Sequence, residues 1–140
     1  MTDPGIVVDA SALVAYAHND MRSFAIDELL RELREDTGGP VHIPFFAVEE
    51  AQQILADDTD ALTRLESFVT AHGMRLADAD MRSAVDAIVA ASPLSRGLAQ
   101  AMLISIADNL SLATYAAGTL EQAGAGMTRV LDLGEVFGAD

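Results

Sequence analysis

Ile6-Val7-Val8-Asp9-Ala10-Ser11-Ala12-Leu13 runs an apolar segment into a carboxylate and then into small residues able to open a helix. That order predicts a buried first strand over residues 5–9, followed by a short helix over 11–18 opened by Ser11. Asp9 then stands at the carboxyl end of the strand, the edge where open α/β sheets gather their ligands. An acid at such a place is either a helix cap or a metal ligand.

The rest of the chain repeats the alternation. Met21 to Asp36 has the period of an amphipathic helix, with Phe24, Leu29, Leu30 and Leu33 on one side and Asp27, Arg31, Arg34 and Glu35 on the other. Thr37-Gly38-Gly39-Pro40 stops it. Val41-His42-Ile43 reads as a second strand ending at Pro44, with a helix across Phe45–Ala56. Asp57-Asp58-Thr59-Asp60 supplies caps for a helix over 60–72. Met74-Arg75-Leu76-Ala77 is a third strand, and Asp78 caps a helix running to Ala91. Ser95 starts a helix that runs to Ala107; it is apolar nearly all round, so it is either deeply buried or shared with a second subunit. Residues 110–114 form a fourth strand, Ala116 to Gln122 a short helix, Gly124-Ala125-Gly126 a loop, and residues 129–133 a last strand. Strands alternating with helices imply a mostly parallel sheet between helical layers.

Composition bounds the function. The chain has 140 residues, enough for one domain with a sizeable core, and no cysteine. Disulfides, zinc–thiolate sites and cysteine nucleophiles are therefore excluded. No apolar segment is long enough to cross a membrane, and the first five residues lack the basic start of a secretion signal, so a cytoplasmic protein with no membrane partner is the expectation. The net charge of −14, with eight arginines and no lysine, argues against general affinity for nucleic acid. It favours a basic protein or peptide as partner.

Taken together, several blocks resemble the PIN-domain family, as in the VapC-like toxin ribonucleases of toxin–antitoxin pairs. They are Val7-Val8-Asp9-Ala10-Ser11-Ala12-Leu13-Val14-Ala15-Tyr16, then Ile43-Pro44-Phe45-Phe46-Ala47-Val48-Glu49-Glu50-Ala51, and finally Leu112-Ala113-Thr114 with Arg129-Val130-Leu131-Asp132-Leu133. The resemblance implies one PIN-like domain over residues 1–140: a three-layer α/β/α sandwich around a parallel sheet of about five short strands. It also implies a cytoplasmic homodimer, a basic antitoxin-like partner, and Mg²⁺ or Mn²⁺ held by carboxylates that cut RNA.

Carried over by residue, the first family acid is Asp9. The second is Glu50, six positions after Pro44, with Glu49 as the fallback. Neighbours on a helix point about 100° apart, so only one of the two faces the site. Ser11, Gln100 and Thr114 are the supporting residues. The family's third acid falls on Gln100, in Leu98-Ala99-Gln100-Ala101-Met102-Leu103, and its fourth on the Tyr115-Ala116 pair after Thr114. Both positions have lost their charge. Two carboxylates hold a hard divalent cation only weakly, and a glutamine cannot act as a base.

Two functions follow as expectations. One is a catalytically impaired nuclease scaffold acting as a dimeric binding or regulatory module. The other is a working metal-dependent ribonuclease with a reduced site around Asp9 and Glu50, for which RNA is a partner. A third expectation concerns protons: two adjacent carboxylates resist double ionisation, so Asp9 and Glu50 would share one. Asp108, Asp78, Asp80 and Glu121 read as helix-end, cap and surface residues. His18, His42 and His72 form no metal-spaced pair, and Ser11 has no histidine at motif spacing.

Overall fold

A computed structural model describes residues 5–18, 26, 28, 31, 40–70, 74–77, 82–92, 94–122 and 129–133. Its elements, in chain order, are β1 (Ile6–Val8), α1 (Ala10–Ala17), β2 (Val41–Pro44), α2 (Phe45–Ile54), α3 (Thr59–Val69), β3 (Met74–Ala77), α4 (Arg82–Ala91), α5 (Arg96–Asp108), β4 (Ser111–Thr114), α6 (Ala117–Gln122) and β5 (Arg129–Asp132). The five strands form one sheet in the order β3-β2-β1-β4-β5, and every pairing is parallel. The chain is a small α/β domain in three layers, helices on both faces of the sheet.

Strand pleating sorts the core into two halves. Ile6 and Val8 point to one face with Val41 and Ile43, against Leu13 of α1, Ala47 and Ala51 of α2, and Leu65 and Phe68 of α3. Val7 and Leu112 point to the other face, against Leu98, Ala101 and Ile104 of α5 and Leu120 of α6. β1 is buried on both sides, which is why its three residues read as an unbroken apolar run.

Several expected boundaries move. The first strand is shorter than predicted, and α1 begins at Ala10 rather than at Ser11. Asp9 is its N-cap: the residue is extended, and its carboxylate accepts the Ala12 N–H. Ser11 is thereby freed for the bonds described below. The 45–56 and 60–72 helices end at Ile54 and Val69, while the helix expected over 95–107 extends to Asp108. Asn109 closes α5 in the left-handed conformation, which a short amide side chain tolerates. That helix is buried along Leu98, Gln100, Ala101, Ile104 and Ser105, while Ile106 and Asp108 face solvent. Of the 21–36 helix, Ile26, Glu28 and Arg31 are helical and Ile26 is buried. The remainder of that segment lies outside the described residues, as do Asp78, Asp80, His72 and the 124–126 loop. Among the described residues, no single helix is long and apolar enough to cross a membrane.

β1 lies at the centre of the sheet. From it the chain builds outward through β2 and β3, then crosses to the other side for β4 and β5. The gap between the carboxyl ends of β1 and β4 is thus the topological switch point, the crevice where α/β sheets form their sites.

Candidate active site

Asp9 sits at that crevice, 2% exposed. Its Oδ1 accepts the Ser11 hydroxyl at 2.7 Å and the Ala12 N–H at 3.1 Å. Its Oδ2 accepts the Thr114 hydroxyl at 2.6 Å. Both hydroxyls are engaged further, lying 3.3 Å from each other. Ser11 Oγ accepts the Tyr115 N–H at 2.9 Å, and Thr114 Oγ1 accepts the Ala116 N–H at 2.8 Å. One carboxylate therefore ties the end of β1, the start of α1, the end of β4 and the turn that follows it. Burial pushes the Asp9 carboxyl above its ordinary pKa; the hydrogen bonds from Thr114, Ser11 and Ala12 pull the other way without cancelling it. The expected cause was a neighbouring carboxylate. The structure points to another cause: removal from water is what raises the value.

Glu50 lines the same cleft, a cavity of about 390 Å³ whose wall also includes Ser11, Gln53, Ser95, Leu98 and Ala116. Glu49, its neighbour, is exposed to solvent and absent from that wall. Both Glu50 oxygens are engaged at the start of α5: Oε1 accepts the Ser95 hydroxyl at 2.9 Å, and Oε2 accepts the Gly97 N–H at 2.9 Å. Ser95 in turn caps the Leu98 N–H at 3.3 Å. A carboxylate against a helix N-terminus is favoured by the macrodipole as well as by the unpaired N–H groups there.

Gln100 is fully buried, and its Oε1 accepts the Phe46 N–H at 2.9 Å. Pro44, the N-cap of α2, offers no side-chain cap of its own. Gln100 supplies it from the neighbouring helix. The two helices thus cap each other, Glu50 of α2 serving α5 and Gln100 of α5 serving α2. Gly97 permits the crossing: a Cβ there would lie 2.5 Å from Glu50 Oε1 and 2.8 Å from the Ala47 Cα.

Of the residues singled out in sequence, Asp9, Ser11, Glu50 and Ala116 meet at one cleft, and Thr114 supports it through Asp9. Gln100 is near in sequence to this wall but is turned onto α2. Asp108 and Glu121 are exposed on α5 and α6, and His18 is the exposed C-cap of α1. Among the described residues, no group of three or more His, Cys, Asp or Glu is placed to share a metal ion. Sequence reasoning missed the capping roles of Glu50 and Gln100. The proline at the α2 cap position was the available signal, since it leaves that helix start in need of an acceptor from elsewhere. Against models of known protein families the sequence matches none, and among curated proteins it matches none.

Proposed function

We propose that this chain is a PIN-domain-like protein, related in architecture to Mg²⁺-dependent ribonucleases, whose acidic centre serves structure in place of catalysis, and that it acts as a dimeric binding module. One observation carries the reading. Every oxygen of Asp9 and Glu50 accepts a hydroxyl or N–H at a helix start or strand end, and the residue at the third acid position, Gln100, spends its oxygen the same way. Asp9 is nearly removed from water, and the side chain of Ala116 offers no ligand atom. A Mg²⁺ or Mn²⁺ ion needs an oxygen-rich shell and enough negative charge to offset its desolvation. These residues do not fit that need, and no hydrolytic step follows from them.

The dimer has its own support. α4 is mostly apolar, yet it buries only Val85; Ser83, Ala84, Ala87, Ala90 and Ala91 are exposed along one face. Residues 81–107 carry two arginines against one aspartate, in a chain of net charge −14. Two copies of so acidic a protein meet at least electrostatic cost through that segment.

The alternative is an active metal-dependent ribonuclease with a reduced site. It is favoured by the meeting of Asp9 and Glu50 in one cleft at the switch point. Calorimetric titration with Mn²⁺ and Mg²⁺, beside RNA cleavage by wild type and Asp9→Asn, separates the two. The binding-module reading expects no stoichiometric metal binding and equal background cleavage by both proteins. Micromolar metal binding that is lost in Asp9→Asn, with cleavage lost in parallel, establishes the alternative.

A further inference from the structure

The Asp9 cleft shows a mismatch between its residues and its surface. Five of its nine lining residues are polar (Asp9, Ser11, Glu50, Gln53 and Ser95), yet the wall presents almost nothing but carbon to the space inside. The hydrogen bonds say why. Asp9 turns its two oxygens onto Ser11, Ala12 and Thr114. Ser11 commits its hydroxyl to Asp9 and the Tyr115 N–H, and Ser95 commits its own to Glu50 and the Leu98 N–H. Glu50 faces Ser95 and the Gly97 N–H, so its charge is set against the positive end of α5. Ala10, Ile54, Leu98 and Ala116 supply the carbon surface, and Ile54 is 65% exposed. At about 390 Å³ the cleft falls within the size of small-ligand sites, roughly 300–1,000 Å³, and it lies at the switch point where such sites form.

We infer that this cleft binds a small, neutral, mostly apolar molecule about the size of one substituted ring. A cation entering it loses hydration and finds the carboxylate oxygens already turned onto protein donors. An anion meets the charge of Glu50. A neutral apolar body gives up no strong hydration, and it removes the side-chain carbons of Ile54, Leu98, Ala10 and Ala116 from water. An enclosed apolar cavity of roughly 150 Å³ holds benzene, so this larger and partly open cleft takes a ring with a substituent whose polar end stays in water. A second copy of the chain is a poor occupant, because exposed Glu49 and half-buried Glu50 would approach another surface of net charge −14. The inference rests on the reading that this site has left metal chemistry, and it adds the class of ligand the site now selects.

The test titrates p-cresol, benzoate and benzylammonium, three single-ring probes of different charge, into the full-length protein with its methyl groups isotope-labelled for NMR. p-Cresol is expected to shift the methyl signals of Ala10, Ile54, Leu98 and Ala116 with a Kd of about 1 mM or tighter. The two charged rings are expected to bind at least about fivefold more weakly. Ala116→Leu fills the cleft and Ile54→Gln, at an exposed position, removes part of its apolar wall; each is expected to weaken p-cresol about fivefold. Ala56→Leu, outside that wall, is expected to alter binding less than about twofold. The inference is overturned if either charged ring binds as well as p-cresol, or if Ile54→Gln leaves binding unchanged. It is also overturned if the shifts centre on Val48, Leu62 and Val69, which line a separate groove between α2 and α3. Shifts of the Ile54 and Leu98 methyls on dilution, in step with dimer dissociation, overturn it too, since a second copy would then fill the cleft. Stoichiometric Mn²⁺ binding sinks the functional reading and this inference with it, whereas absent p-cresol shifts without Mn²⁺ binding sink the inference alone.

Discussion

The Thr114 hydroxyl donates to Asp9 Oδ2 across 2.6 Å, joining residues 105 positions apart at the ends of two paired strands. Both partners are buried, Thr114 completely. The bond closes the switch point of the sheet from within. Thr114→Val keeps the shape of the side chain and removes the donor, leaving one oxygen of a buried carboxylate unsatisfied. The expected loss is about 1.5–3 kcal/mol of stability, the usual range for a hydrogen bond to a charged group. Urea denaturation with the m-value held constant measures it.

The raised pKa of Asp9 has a sign that can be worked out. Burial makes the folded protein hold this proton more tightly than the unfolded chain does. The stabilising contribution is therefore fully present below the unfolded carboxyl pKa of about 4, and it is lost as pH rises through the higher folded value. Asp9→Asn removes this titration. Its stability relative to wild type is expected to improve steadily as pH rises across that window and to level off above it. Glu50→Gln is expected to leave the window in place, because burial and not Glu50 creates it. A flat difference between wild type and Asp9→Asn from pH 3 to 8, or a window abolished by Glu50→Gln, would refute the assignment.

Two glycines in helices make opposite forecasts. Gly97→Ala drives a methyl group into Glu50 and the Ala47 backbone, so it is expected to cost about 1–3 kcal/mol as an overpacked contact and to loosen the cap on α5. At Gly118 nothing lies within 4 Å of an added methyl. Gly118→Ala is expected to be neutral or to stabilise by about 0.5 kcal/mol through helix propensity. Thermal unfolding of the two variants side by side decides both.

The exposed face of α4 is open to a direct chemical test, because the chain contains no cysteine. A single cysteine at Ala87 is expected to form an inter-subunit disulfide on mild oxidation, while one at Ile54, 65% exposed on α2, is expected to stay monomeric on a denaturing gel. Ala87→Glu is expected to shift sedimentation toward the monomer. Absence of the cross-link at Ala87, together with a dimer that survives Ala87→Glu, would place the interface elsewhere.

Much of the fold was legible because periodicity and punctuation agree. The apolar runs at Ile6–Val8 and Leu112–Ala113 read as strands, and Asp58 and Ser95 announced the helices they cap. The convergence of Asp9 and Glu50 on one cleft was legible through their placement after the first two strands. What the carboxylates are bonded to was not legible. Capping of α5 by Glu50 and of α2 by Gln100 depends on how closely two helices cross, and that is set by Gly97 against Ala47, a contact between residues 50 positions apart. No local pattern encodes such a distance. The cause of the Asp9 shift was missed for a related reason: burial is a property of the assembled core, whereas a neighbouring charge can be guessed from motif spacing.

Reciprocal anchoring of α2 and α5 also constrains how the protein breathes. The amides of Phe46 and Gly97 each donate to a side chain carried by the other helix, so the opening of the two helix starts is expected to be coupled. Deuterium should enter these two amides at a common rate, and the crossed pair should behave as one cooperative opening unit beside the switch-point cleft.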